Sequence, residues 1–97
     1  SIKKHLALYE RLGKPAQTKH LGQPLAYLQC ESGDPNEYVH MWIYADAADR
    51  EVKRAAMQAD PDWINYLGES ASLGALVNQT NKLMKPVDFF PLPQNLK

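Results

Sequence analysis

Residues 38–44 alternate ring-bearing and aliphatic side chains at every position. The ring-bearing residues are Tyr38, His40, Trp42 and Tyr44, and the aliphatic residues between them are Val39, Met41 and Ile43. Because successive side chains of a strand point to opposite faces, this alternation predicts a β-strand with the rings on one face and the aliphatic side chains on the other. We expect the rest of the chain to be organised around this strand.

Two helical segments are predicted before the strands. Apolar residues recur at helical spacing over residues 2–12 and predict a helix with a broad buried face. Gly13 and Pro15 are expected to interrupt this helix. A short second helix is predicted over residues 15–20, with Pro15 at its first position and Gly22 at its end, where a left-handed cap carries no Cβ penalty.

A hairpin is predicted from the next two segments. Residues 25–30 are typical of a strand, and residues 31–37 are rich in the turn formers Gly, Pro, Asp and Asn. This connection favours antiparallel pairing with residues 38–44. Tyr27 and Gln29 share one face of the first strand, and they meet the ring-bearing face of the second only in a suitable register, which the sequence leaves open.

Two helices are predicted after the hairpin. Asp46 is a good N-cap for the first, while Asp60 and Pro61 begin the second. The first helix is predicted to have a narrow buried face formed by Ala48, Val52, Ala55, Ala56 and Ala59. The second is predicted to have a bulkier inner face formed by Trp63, Ile64 and Leu67. Residues 76–83 predict a last strand, and the prolines of residues 85–92 predict an extended tail outside the sheet interior.

The order of these elements predicts an α+β fold of the ferredoxin-like βαββαβ type whose first strand is missing from the sequence. The sheet of such a fold is antiparallel, with the helices on one face. With 97 residues, the chain is expected to form a single domain over residues 1–97. Because a core of that size is modest, burying further surface through self-association is favourable, and a homodimer is predicted.

Charge and composition argue against several classes of partner. Lys and Arg total 11, as do Asp and Glu, and the basic residues are scattered along the chain, which argues against nucleic acid and against an anionic membrane surface. No apolar run approaches the roughly 20 residues that span a bilayer. Cys30 is the only cysteine, which suits the reducing cytoplasm, and a cytoplasmic location is therefore expected.

His40 is the candidate catalytic residue. It projects to the same face as Trp42 and Tyr44, so a ring-lined wall with one titratable nitrogen results if that face borders a cavity. The alternative is that this face packs only the core or a subunit interface. The further candidates for lining a ligand pocket are Tyr27, Trp42, Tyr44, Trp63 and His20.

The other two histidines give weaker signals. His20 lies near the end of the second predicted helix, where a catalytic role and a helix C-terminal cap both stay open. His5 is expected at an edge or in solvent. The three histidines lack metal-ligand spacing, so no metal and no cofactor is predicted.

Four segments resemble the NIPSNAP family, a branch of the dimeric α/β-barrel superfamily. They are residues 19–22 (KHLG), 39–44 (VHMWIY), 54–63 (RAAMQADPDW) and 83–86 (LMKP), followed by Phe89 and Pro91. They span nearly the whole chain, and ADPDW is the most specific. Family members usually open with a strand rich in Tyr and Arg that ends at a Pro-Gly turn. Two explanations for its absence stay open: the strand lies upstream of Ser1, or a neighbouring chain supplies it.

The resemblance implies a four-stranded antiparallel sheet with helices on one face, and a second subunit whose sheet closes a barrel against the other face. The wider superfamily includes small oxygenases, isomerases and haem-handling enzymes, whereas the NIPSNAP branch has no settled activity. Fold analogy is a weak warrant for chemistry, so two functions stay open. One is a cytoplasmic homodimer that binds a small apolar ligand or a protein partner. The other is a cofactor-free monooxygenase or isomerase on a small aromatic or quinone-like substrate, with His40 as acid or base.

Overall fold

The computed structural model describes residues 2–74 and 78–93. In chain order it contains α1 (Ile2–Leu8), a π-helical turn (Tyr9–Gly13), α2 (Lys14–Leu21), β1 (Ala26–Gln29), β2 (Tyr38–Met41), α3 (Ala47–Ala59) and α4 (Pro61–Leu73). The predicted α+β class is therefore confirmed. Among the described residues the sheet consists of two antiparallel strands.

The first helix continues through the predicted break. The backbone N–H of Lys14 donates to the carbonyl oxygen of Tyr9, five residues earlier, so α1 runs into α2 through one π-helical turn. Gly13 keeps helical dihedral angles within this turn, and Pro15 lies in the first turn of α2. A proline is tolerated there because the missing N–H costs least at the beginning of a helix. The prediction that Gly13 and Pro15 interrupt the helix was wrong because the wider turn accommodates both.

The hairpin has the register that brings the rings together. Tyr27 pairs with His40 and Gln29 pairs with Tyr38, so these four side chains lie on one face of the sheet. Both strands are shorter than predicted, and Trp42 and Tyr44 follow the end of β2. The opposite face carries Leu28, Val39 and Met41, which are 52%, 44% and 40% exposed. The rings thus face the helices, and the aliphatic side chains face outward.

Both predicted N-caps are confirmed. The side chain of Asp46 accepts a hydrogen bond from the backbone N–H of Asp49 at 2.8 Å, and this capping begins α3. Asp60 accepts in the same way from the backbone N–H of Asp62 at 2.8 Å, with Pro61 in the first turn of α4. Each carboxylate satisfies one of the backbone donors that a helix leaves unpaired at its beginning.

The apolar face predicted to be buried on α3 is exposed instead. Val52 is 70% exposed, whereas Met57 is 1% exposed and belongs to the core. The side chains of Arg50 and Lys53 are partly buried on the inward side of the helix. In α4, Trp63 is buried as predicted, but the inner face continues through Tyr66 and Ser70. Ile64 and Leu67 are exposed, because the buried face is rotated by about one residue.

The core lies between the helices and the ring-bearing face of the hairpin. The buried apolar residues are Leu8, Tyr9, Ala16, Leu21, Met57, Trp63 and Tyr66. Leu12, Tyr27, Trp42 and Tyr44 pack against them and are partly buried. His5 is fully buried, which contradicts its expected place at an edge or in solvent. Every helix among the described residues is too short or too polar to cross a bilayer.

The C-terminal part of the chain is not a strand where the structure describes it. The predicted last strand covers residues 76–83, of which residues 76 and 77 lie outside the described residues. Residues 78–83 have neither helical nor strand structure and are exposed, so the prediction was wrong for them. Residues 85–92 lie outside the sheet as predicted, and one turn is closed by the N–H of Phe90 donating to the carbonyl of Val87 at 3.1 Å.

Gly13 is expected to be sensitive to the smallest enlargement. A Cβ at this position would lie 2.6 Å from Cδ1 of Tyr9 and 2.8 Å from Cε1 of Tyr66. Gly13→Ala is therefore expected to lower the free energy of unfolding by about 1–3 kcal/mol, the usual cost of overpacking. Urea denaturation followed by circular dichroism measures the change.

Gly68→Ala is the matched control, because a Cβ at this helical position would contact nothing within 4 Å. This variant is expected to gain about 0.5–1 kcal/mol, the ordinary advantage of Ala over Gly within a helix. Equal effects of the two substitutions would contradict the close packing assigned to Gly13.

Candidate functional site

The candidate site is a cluster of rings between the first helical segment and the hairpin. The imidazole of His40 is its centre, with ring-centroid distances of 4.7 Å to Tyr9, 4.7 Å to Tyr27 and 4.8 Å to Tyr38. Tyr9 reaches the cluster from the π-helical turn, and the other rings project from β1 and β2. The sequence left the register of the hairpin open. In the observed register Tyr27 pairs with His40, and their side chains lie on the same face of the sheet.

Hydrogen bonds connect the tyrosine hydroxyls to the helices. The hydroxyl of Tyr9 donates to Oε1 of Gln17 at 2.5 Å. Since Tyr9 has only this one hydroxyl hydrogen, the hydroxyl of Tyr27 donates to the oxygen of Tyr9 at 2.9 Å. The hydroxyl of Tyr38 is 2.5 Å from Nε2 of His5. Nδ1 of His5 is buried and has no hydrogen-bond partner among the described residues.

The cluster is electrically neutral at pH 7. Burial and, secondarily, the nearby His5 lower the pKa of His40 from 6.5 to about 4. Burial also lowers the pKa of His5. Burial raises the pKa of Tyr38 to about 12 and raises the pKa of Tyr9 further above its ordinary value. The imidazoles therefore stay unprotonated and the phenols stay protonated, so these side chains form hydrogen bonds without carrying a charge.

The other aromatic candidates surround this cluster. Trp42 makes an edge contact with Tyr27 at 5.8 Å between ring centroids, and Tyr44 packs against the buried core. Trp63 contacts Tyr66 at 5.0 Å, and Tyr66 in turn contacts Tyr9 at 5.8 Å. One continuous set of ring contacts therefore joins α4 to the hairpin through Tyr9.

His20 belongs to a different group of side chains. Its Nε2 is 2.7 Å from Oδ2 of Asp60, and Nζ of Lys19 is 2.5 Å from the same oxygen. These partners and the N–H of Asp62 hold the pKa of Asp60 below its ordinary value, Lys19 having the largest effect. Instead of capping its own helix, His20 thus pairs with the carboxylate that caps α4.

Sequence reasoning missed several residues that build the cluster. His5, Tyr9 and Gln17 lie at spacings of four and eight residues along the first helical segment, and Tyr66 comes from α4. The spacing of His5 and Tyr9 places both on one helical face, which is a signal that the sequence carried. The contact with Gln17 depends on the π-helical turn, for which the sequence carried no separate signal.

Two surface depressions lie away from His40. One, of about 310 Å³, is bordered by Arg11, Lys19 and Asp62, together with Leu12, Pro15, Ala16 and Asn65. The other, of about 420 Å³, is formed by residues 85–89 of the C-terminal segment. Neither of these two depressions is lined by Tyr9, Tyr27, Tyr38 or His40.

The chain is a small α+β protein in which helices cover the ring-bearing face of the antiparallel hairpin. The family model described as NIPSNAP matches residues 2–91. The chain belongs to the NIPSNAP family. No curated protein matches it.

Three solved structures show how far this similarity extends. A NIPSNAP family protein of unknown function from Agrobacterium tumefaciens is 37% identical, with a TM-score of 0.77 over 91% of this chain and 78% of the other. A second NIPSNAP family protein from Agrobacterium tumefaciens is 27% identical, with a TM-score of 0.83 over 95% and 86%. An uncharacterized NIPSNAP-like domain protein from Burkholderia xenovorans is 32% identical, with a TM-score of 0.82 over 98% and 82%.

Acid is expected to destabilise the protein through His40. Its pKa is about 4 in the folded chain against 6.5 for an ordinary histidine, so the unfolded chain binds more protons between these values. The contribution of His40 to the free energy of unfolding is fully present above pH 6.5 and is lost progressively as the pH falls toward 4. Because His40 is partly exposed, we expect it to contribute a loss on the order of 1 kcal/mol between pH 7 and pH 5, or about 4–8 °C in melting temperature.

His40→Gln should reduce this loss, whereas Gln58→Ala, an exposed substitution without a titrating group, should leave it unchanged. Thermal unfolding of the three proteins at both pH values measures the difference. Identical pH dependence of the parent and His40→Gln would contradict the assignment of His40 as a partly buried neutral group.

Proposed function

We propose that the protein is a cytoplasmic homodimer of the α/β-barrel type that acts by binding a small apolar ligand or a protein partner. In this proposal two ferredoxin-like subunits associate through the outer faces of their sheets. The apolar surface enclosed between the sheets is where a ligand of matching polarity binds. The assignment of the chain to the NIPSNAP family supports the proposal, although its solved relatives carry no assigned activity in their descriptions.

The observation that carries the proposal is the exposed aliphatic face of the hairpin. Leu28 and Val39 lie opposite each other on this face, and Met41 continues it along β2. A fully buried side chain of this size contributes about 1.5–3 kcal/mol relative to an exposed one. Because a two-fold axis doubles every contact, covering this face with its own copy would be strongly favourable.

The ring-bearing face supports binding rather than turnover. At pH 7 a histidine whose pKa is about 4 is a weak base, and general acid-base catalysis is most efficient when the pKa lies near the working pH. The ring of His40 packs against the rings of Tyr9, Tyr27 and Tyr38, with less than 5 Å between ring centroids. The packing of these rings stabilises the hairpin against the helices.

The alternative proposal is a cofactor-free monooxygenase or isomerase that acts on a small aromatic or quinone-like compound. The observation in its favour is the neutral imidazole of His40, which three tyrosine rings surround. In that proposal His40 accepts or donates a proton, while the rings of Trp42 and Tyr44 hold the substrate.

Val39→Lys is expected to separate the subunits, because a charge at the centre of the aliphatic face cannot be buried without a partner. Sedimentation velocity should show a dimer for the parent protein and at least a 100-fold weaker association for the variant. Gln29→Lys is the matched control, since Gln29 is exposed on the other face of the same sheet. A parent protein that stays monomeric at 100 µM, taken as roughly the upper limit for a weak specific dimer, would overturn the proposal.

His40→Gln tests the alternative. We expect neither the parent nor this variant to convert a panel of phenolic and quinone compounds, because a histidine whose pKa is about 4 is a weak base at pH 7. Product formation is measured by liquid chromatography, with circular dichroism as the check on folding. Turnover by the parent that falls about 100-fold or more in the variant, a typical loss for a missing acid-base group, would favour the enzyme instead.

A further inference from the structure

The hydroxyl of Tyr38 lies against a buried base. Its oxygen is 2.5 Å from Nε2 of His5, and the two ring centroids are 5.1 Å apart. His5 is fully buried, and its other ring nitrogen, Nδ1, has no hydrogen-bond partner among the described residues. Because burial lowers the pKa of His5, the imidazole is neutral at pH 7, and its Nε2 can accept the phenolic hydrogen of Tyr38.

Two other tyrosine hydroxyls of the cluster lie against neutral oxygen atoms. Tyr9 donates to Oε1 of Gln17, and Tyr27 donates to the hydroxyl oxygen of Tyr9. An amide or phenol oxygen accepts a hydrogen bond but is too weak a base to take up a proton at pH 7, whereas an imidazole takes one up near neutrality. Of these three hydroxyls, only that of Tyr38 therefore has an acceptor to which its proton can move.

Ring contacts join this pair to other oxidisable side chains. Consecutive ring centroids are 5.0–5.8 Å apart along the series Trp63, Tyr66, Tyr9, Tyr27 and Trp42. The ring of His40 connects this series to Tyr38, with centroid distances of 4.7 Å to Tyr9 and 4.8 Å to Tyr38. Indole and phenol rings give up one electron more readily than the other ring side chains, and an electron passes readily between rings whose π systems are in contact. An electron lost from any ring of the series can therefore be replaced from Tyr38.

We propose that Tyr38 is a one-electron redox site in which His5 accepts the phenolic proton. The oxidant is an outer-sphere one-electron acceptor of high potential, such as an oxidised metal complex. It removes one electron from the ring of Tyr38, and the O–H bond breaks as the proton moves to Nε2 of His5. The products are a neutral tyrosyl radical, an imidazolium and the reduced oxidant. The inference is independent of the proposed homodimer, because every group that it uses belongs to one chain.

The position of His5 removes the main obstacle to oxidising a partly buried phenol. A phenol that loses an electron but keeps its proton becomes a cation, and a charge is costly to form away from water. The phenol radical cation is a far stronger acid than an imidazolium, so the proton moves to His5 although burial lowers the pKa of that ring. Once the radical is reduced, the same lowered pKa returns the proton to the oxygen of Tyr38, and the site is restored.

The two partners differ in their access to solvent. Tyr38 is partly exposed at the beginning of β2, so an oxidant in solution can approach its ring. His5 is fully buried on α1, so bulk water does not compete for the proton at Nε2. The proton is therefore held beside the radical, from where it can return to Tyr38.

Oxidation by photogenerated tris(bipyridine)ruthenium(III) tests the inference. Electron paramagnetic resonance of samples frozen after illumination at pH 7 identifies the radical. We expect a tyrosyl signal in the parent protein that is lost in Tyr38→Phe. Tyr27→Phe is the matched control, because Tyr27 is also partly exposed but its hydroxyl lies against an oxygen atom, and this variant should retain the signal. An unchanged signal in Tyr38→Phe would overturn the inference.

His5→Gln tests the proton acceptor. Glutamine still offers Tyr38 an oxygen as hydrogen-bond acceptor but is not a base, so tyrosine oxidation measured by laser flash photolysis should slow by about 100-fold, a typical effect of a positioned proton acceptor. His40→Gln is the matched control, since His40 packs on the ring of Tyr38 while the hydrogen bond goes to His5. Equal rates for the parent and His5→Gln would overturn the inference. Circular dichroism checks that each variant is folded.

A measurement on the parent protein replaces His5→Gln if that variant does not fold. Electron–nuclear double resonance of the radical should show the coupling of one exchangeable proton, held by Nε2 of His5 beside the tyrosyl oxygen, and this coupling should disappear in heavy water. Its absence would overturn the inference. A protein that sediments as a monomer and gives this radical would overturn only the proposed homodimer and would support the redox site.

Discussion

Tyr9 is the residue through which the hairpin is attached to the helices. Its ring contacts Tyr27 and His40 on the sheet side and Tyr66 on the α4 side, while its hydroxyl bonds to Gln17 and Tyr27. An isolated two-stranded hairpin is only marginally stable in water, so it depends on such packing. Tyr9 has this position because the π-helical turn brings its ring over Gly13, where no side chain occupies the space. The turn and the ring cluster therefore support one another.

The strand pattern and the helix caps could be predicted because each depends on local geometry. The alternation of residues 38–44 determines which side chains share a face whatever the rest of the chain does. Asp46 and Asp60 cap their helices through backbone groups only two or three residues away. The same reasoning grouped Tyr27 with His40, and only the pairing register, which depends on two strands at once, had to come from the structure.

The features that sequence reasoning missed depend on contacts between distant segments. Gly13 and Pro15 are helix breakers by propensity, but the packing of Tyr9 and Tyr66 around Gly13 favours a continuous helix. His5 has the composition of a surface residue, yet it is buried because Tyr38 reaches it from 33 residues away. The apolar face of α3 has helical periodicity, which predicts the helix correctly but cannot say what lies against that face.

The two faces of the hairpin differ in what covers them, and this difference relates the candidate site to the proposed association of subunits. Protonation of His40 and His5 is disfavoured, and deprotonation of Tyr9 and Tyr38 is disfavoured, so the ring-bearing face of the hairpin stays uncharged and packed. The aliphatic face of the hairpin and the apolar face of α3 are exposed in the part of the chain that the structure describes. Because apolar area exposed to water is unfavourable, burying these two outer surfaces would stabilise the protein further. The proposed second subunit would cover these surfaces and leave the contacts between the rings unchanged.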